Sequence, residues 1–79
     1  MRKMKKGNQI IQVIEWFIIE NWWEYYVIEV DGDNIAFCLV DGYETELGDV
    51  DLEEVRPYIK LRTKELNTIM PAPGWQWID

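Results

Sequence analysis

Two Asp-Gly steps, Asp31-Gly32 and Asp41-Gly42, constrain the fold of this chain more than any other feature. Asp-Gly between β-branched and aromatic runs is the strongest short-range hairpin signal, because a type I′ turn needs positive φ at both central positions. Tyr25-Tyr26-Val27-Ile28-Glu29-Val30 precedes the first step, and Ile35-Ala36-Phe37-Cys38-Leu39-Val40 lies between the two. Tyr43-Glu44-Thr45-Glu46-Leu47 follows the second and stops at Gly48. Consecutive short strands of this kind make an antiparallel meander. A period of two puts Tyr26, Ile28 and Val30 on one face and Tyr25, Val27 and Glu29 on the other. The run 34–41 is almost wholly apolar and is expected at the centre of the sheet.

Upstream, Gln9 to Ile19 holds five Ile and one Val. Gln9, Gln12 and Glu15 at spacing three would suit a helix stripe, so strand and helix both stand open, but β-branched residues lose χ1 freedom in a helix and a strand is the expectation taken. The expected fold is therefore α+β and mostly β, an antiparallel meander of four strands at about 9–19, 24–31, 34–41 and 43–47. A short helix is expected at about 51–56, with Asp51 as N-cap, Glu54 completing a capping box and Pro57 closing it. A short extended run from Tyr58 to Arg62 precedes a second short helix at about 63–70, ended by Pro71-Ala72-Pro73-Gly74. Trp75-Gln76-Trp77-Ile78 alternates, which suits a C-terminal edge strand at 75–78. Residues 1–8 read as a flexible basic arm and 9–79 as one small domain.

A chain of 79 residues has a core near the lower size limit. Five Trp, four Tyr and two Phe supply apolar area in compensation, since such side chains bury roughly 150–250 Å² each. The single cysteine, Cys38, forms no intrachain disulfide, and its setting between Phe37 and Leu39 is that of an inert buried thiol. There is no histidine, which removes the commonest general base and zinc ligand. No phosphate-binding Gly-rich loop, Cys-x-x-Cys pair or nucleophile–base arrangement is present. Asp49, Asp51 and Glu53 lack the glycine and terminal glutamate of a calcium loop, and helix capping explains them better. The chain is thus not expected to be an enzyme, and no cofactor or metal is expected. Gln12, Glu15 and Glu20 interrupt the apolar run after the basic N-terminus, so neither a secretory leader nor a membrane span is expected, and a cytoplasmic location is.

Charge is distributed unevenly. Arg2, Lys3, Lys5 and Lys6 crowd the N-terminus, and the next cation is Arg56. Between them lie only acids, from Glu15 to Glu54, and the formal net charge is −7. A one-sign field of this kind repels nucleic-acid phosphates and attracts basic partners, although it also serves simply to keep an aromatic-rich chain in solution.

The stretch from Ile10 to Glu54 resembles a family of small proteins of unknown function carried on bacterial plasmids and phages. The residues that carry the resemblance are Asn21-Trp22, Tyr26-Val27, Glu29, Asp31-Gly32, Phe37, Leu39-Val40, Gly42, Glu44, Glu46-Leu47-Gly48, Leu52 and Glu54. The Glu-x-Glu-Leu-Gly run before a short helix is its most specific part. The family's N-terminal Leu-Thr-Lys-Glu-Leu segment is missing, and a similar run, Leu61 to Leu66, follows the meander instead. The resemblance implies a mobile-element setting and a compact β-rich or α+β fold, and it implies no activity.

The leading functional expectation is an interaction module that binds a host protein with a basic surface, as an inhibitor or nucleic-acid decoy. The expected surface is an anionic sheet face of Glu24, Glu29, Asp31, Asp33, Glu44 and Glu46, joined by Trp22, Trp23, Trp75 and Trp77. The alternative is a small-ligand or single-stranded nucleic acid binder using surface tryptophans, although the acidic field makes nucleic acid unlikely as a partner. A third reading is a monomer or small homo-oligomer in which Trp75 and Trp77 pair strands between copies.

Overall fold

A computed structural model describes residues 1–78. The fold is mostly β, but it is not the single four-strand meander that the turns suggest: eight strands form two antiparallel sheets. They are β1 (Arg2–Lys6), β2 (Gln9–Val13), β3 (Glu15–Ile19), β4 (Glu24–Val30), β5 (Ile35–Asp41), β6 (Thr45–Asp51), β7 (Ile59–Thr63) and β8 (Gln76–Ile78). One sheet has the order β2-β1-β8 and the other β6-β5-β4-β3-β7.

The long strand expected over 9–19 is extended throughout, but it bends at Ile14 and serves both sheets. Ile14 N–H still bonds to Val27 O at 2.8 Å, so the chain stays paired while it turns the corner. The basic segment expected to be a flexible arm is strand β1. It pairs with β2 from Arg2 opposite Val13 to Lys6 opposite Gln9, and with β8 on its other side. Its one apolar residue, Met4, is fully buried, and this burial fixes the register of an otherwise charged strand.

Two cores result, one on each face of the five-stranded sheet. The inner core lies between the sheets and gathers Met4, Ile11, Val13, Trp16, Tyr26, Leu39, Leu66, Ala72 and Trp75. The outer core holds Phe17, Tyr25, Val27, Ala36 and Cys38, with Leu52 and Val55 of helix α1 (Leu52–Val55) packed against it. The central strand is β4, not β5, and it buries Tyr25, Tyr26 and Val27 in succession, alternating between the two cores. A β-bulge between Val27 and Glu29 interrupts its pairing with β5.

Both turns differ from type I′. At the first, positive φ falls on Asn34 (φ 61) rather than on the two central residues. The Asp31 carboxylate accepts from Asp33 N at 2.8 Å and Ile35 N at 3.0 Å, and this local bonding selects the wider loop. Downstream, β6 continues through Gly48 to Asp51 instead of stopping. Asp51 caps α1 by accepting from Glu53 N, and Pro57 sits in a following 3₁₀ turn, Arg56–Tyr58. β7 then returns to pair with β3.

The helix expected over 63–70 is absent. Thr63 belongs to β7, and only Leu66–Thr68 makes a 3₁₀ turn. Thr63 Oγ1 accepts from Glu65 N and Thr68 Oγ1 donates to Glu65 O, side-chain bonds that compete with helical ones. The edge strand near 75–78 is present as β8, shortened by one residue because Trp75 N–H closes a turn onto Ala72 O.

Candidate functional site

The ten residues singled out in the sequence fall into three groups. Trp75 and Trp77 belong to the inner core. Trp75 is buried, and Trp77 Nε1 donates to Ile69 O at 2.8 Å while Arg2 lies 4.6 Å over its ring. The side chains of these two tryptophans are thus engaged within the fold, while β8 itself lies at the edge of its sheet.

The six acids do not share one sheet face. In an antiparallel pair, residues directly opposite point to the same side. Glu46 stands opposite Val40 on the outer-core side, whereas Glu29 stands opposite Phe37, and Phe37 opposite Asp49, on the inner side. Glu29, Asp31 and Asp33 cluster near the β4–β5 turn. Glu24, Glu44 and Glu46 lie at the other end of the sheet, about 20 Å away along seven-residue strands. Several acids are also already engaged. Glu24 accepts from Trp16 Nε1 at 3.1 Å, Asp31 holds its turn, and outside the set of six Glu15 pairs with Arg62 at 2.6 Å.

What the fold gathers instead is aromatic. The β3–β4 and β5–β6 connections and the start of β7 meet at one end of the sheet, since Glu24, Asp41 and Thr45 align and Ile19 faces Ile59. Trp22, Trp23, Tyr43 and Tyr58 therefore share that end, with Glu20, Glu44 and Glu46 among them. Trp22 is 67% exposed and Tyr43 94%.

Two features hold this end in shape. Trp22 adopts φ 71, a left-handed conformation rare for a bulky residue and costing about 1–2 kcal/mol. It is held there because Trp22 N–H bonds to Ile19 O, Trp23 N–H bonds to the Asn21 side chain, and Glu20 N–H bonds to Tyr58 O. The Lys60 ammonium lies 4.3 Å over the Trp22 ring. Trp23 packs flat on Gly42, where a Cβ would come within 2.8 Å of the indole carbons. Its ring meets Tyr43 edge-on, centroids 5.3 Å apart at 82°. A cleft of about 230 Å³ opens there, lined by Trp23, Val40, Gly42, Tyr43, Glu44 and Glu46.

The groups with shifted titration lie inside the fold. Burial, then Asp49, pushes the Cys38 thiol up to about 12, which makes it inert at neutral pH. Burial raises Tyr26 strongly, with Glu24 and Asp41 adding to the effect, and Tyr25 is raised by burial and by Cys38. Among the described residues no group of His, Cys, Asp or Glu is placed to hold a metal ion, and no helix is long and apolar enough to cross a membrane.

Tyr43, Tyr58 and Lys60 were not among the site residues expected from the sequence, and Gly42 and Glu20 stood out there only as a turn residue and as a break in the apolar run. Tyr43 directly after Asp41-Gly42 carried a signal, because an aromatic residue beside a tight turn projects from the sheet. Tyr58 and Lys60 carried none, since only the return of β7 brings them to Trp22. No family model, curated protein or solved structure matches the chain.

Proposed function

We propose that the protein is a non-enzymatic binding module that takes a partner protein with a basic surface at the aromatic, acid-flanked end of its larger sheet. The observation that carries this reading is Trp22, 67% exposed at the same end of the sheet as the exposed Tyr43 and Tyr58. Exposed Trp and Tyr beside free-standing acids are the composition of an interaction hot spot for a cationic partner. The net charge of −7 adds long-range attraction for such a partner.

The surface differs from the flat anionic sheet face expected from the sequence, and the class of partner stays the same. A cytoplasmic host protein is the partner this reading favours, with inhibition or decoy action as the consequence. The mobile-element setting is supported by the resemblance of residues 10–54.

Tryptophan fluorescence titrated with a short lysine- and arginine-rich peptide tests the reading. A saturable change that weakens as salt rises, and that is lost in Trp22→Ala, supports it. A response indifferent to ionic strength, or one given equally by a single-stranded oligonucleotide, overturns it.

A further inference from the structure

We infer that the cleft between Trp23 and Tyr43 receives an arginine side chain of the partner; this rests on the function proposed above and specifies its chemistry. Two sources of negative potential converge in the cleft. Aromatic ring faces are negative, and Trp23 and Tyr43 form one wall of it. Glu44 and Glu46, two acidic residues, line it as well, with Val40 and Gly42. A cation placed there is attracted by both, an apolar group by the rings and Val40 alone, and an anionic group by neither.

The cleft is built and not incidental. Gly42 lets the Trp23 ring lie directly on the backbone, with no space for even a methyl group between them. Its N–H bonds to Glu44 O at 3.1 Å, a tight turn that sets Tyr43 outward between them. Elsewhere the chain supplies its own cations to its tryptophans, Lys60 to Trp22 and Arg2 to Trp77. The Trp23–Tyr43 pair shares its cleft with Glu44 and Glu46 instead.

Guanidinium suits this geometry better than ammonium. It is planar, so it stacks on a ring, and its fork of N–H donors binds a carboxylate through two parallel bonds in the same plane. It is also the more weakly hydrated of the two, so it enters a half-open cleft at lower desolvation cost.

The test uses the full chain and three tripeptides, Gly-Arg-Gly, Gly-Lys-Gly and Gly-citrulline-Gly, followed by NMR at the Trp23 indole N–H and the Tyr43 ring. Citrulline keeps the shape of arginine and removes its charge. The arginine peptide is expected to shift both resonances saturably, the lysine peptide more weakly, and the citrulline peptide not at all. Tyr43→Leu is expected to weaken the arginine peptide about three- to fivefold, and Glu46→Gln about two- to fivefold. Both residues are exposed, so the variants keep the thermal midpoint of the parent. Equal shifts from citrulline and arginine overturn the inference, as does arginine-peptide binding unchanged in both variants. Shifts confined to Trp22 refute the arginine cleft and leave the wider binding reading standing. Loss of salt-dependent binding to the longer basic peptide refutes that wider reading itself.

Discussion

The two faces of the five-stranded sheet are closed in different ways. The inner core draws on Met4, Ile11 and Val13 from one end of the chain and on Leu66, Ala72 and Trp75 from the other. The outer core and the residues packed on it all lie between Ile14 and Ile59. The inner face also binds its aromatic polar groups to distant or flanking acceptors. Tyr26 OH donates to Met70 O at 2.9 Å, Trp77 Nε1 to Ile69 O and Trp16 Nε1 to Glu24. The outer face is sealed by neighbours in sequence, chiefly α1 and the rims of its own strands. The aromatic end grows from this outer, locally closed side, through Trp23 and Val40. The surface offered to a partner thus rests on the meander, while the chain ends hold the other side shut.

The largest test of that division is Met4→Asp. A carboxylate in a fully buried site between the sheets is too costly to retain, so the circular dichroism of the variant is expected to show no cooperative unfolding at room temperature. A folded variant with Met4→Asp would mean that β1 is dispensable. Next is Gly42→Ala on the outer side. The added methyl meets Trp23, and a loss of about 1–3 kcal/mol in urea unfolding is expected, together with a shift in tryptophan emission. A smaller, paired contrast separates the faces directly. Tyr26→Phe removes the bond to Met70 O and is expected to cost about 1 kcal/mol, whereas Tyr25→Phe stays within about 0.5 kcal/mol. Equal losses in the two variants would erase the distinction.

The smallest effect is in alkali. The Cys38 thiol is raised from 9.0 to about 12 in the fold, so below pH 9 it is protonated in both states and contributes no slope. Above pH 9 only the unfolded chain loses the proton, and stability falls as pH rises. The share of the fall due to Cys38 is about 1 kcal/mol between pH 9 and 10, and the slope is shallower in Cys38→Ala, where the raised Tyr25 and Tyr26 still contribute. A slope unchanged by that substitution would assign the effect elsewhere.

The central hairpin was legible because both of its determinants are local. Tyr25 to Val30 and Ile35 to Val40 carry β-forming side chains, and Asp31 organises its own turn through its own carboxylate. Strand β1 was not legible. Arg2-Lys3-Met4-Lys5-Lys6 has one apolar residue, and its extended form comes from partners on both sides, one of them more than 70 residues away in sequence. The helix expected over 63–70 failed for a related reason, since Thr63 takes its conformation from pairing with Trp16. The acidic residues were read as one surface because charge along a sequence does not say which way a strand faces. Register sends Glu29 and Glu46 to opposite sides. The aromatic end was half legible: Trp22 and Trp23 stood out, and Tyr43 and Tyr58 join them only when the β3–β4 connection, the β5–β6 connection and the start of β7 meet.

The pairing of β1 with β8 sets a timetable for synthesis. A ribosome delivers Arg2–Lys6 early and Gln76–Ile78 some seventy codons later, and the meander can form in the interval. Until Leu66, Ala72 and Trp75 emerge, the Tyr26 and Leu39 side of the nascent sheet has only Met4, Ile11 and Val13 to cover it.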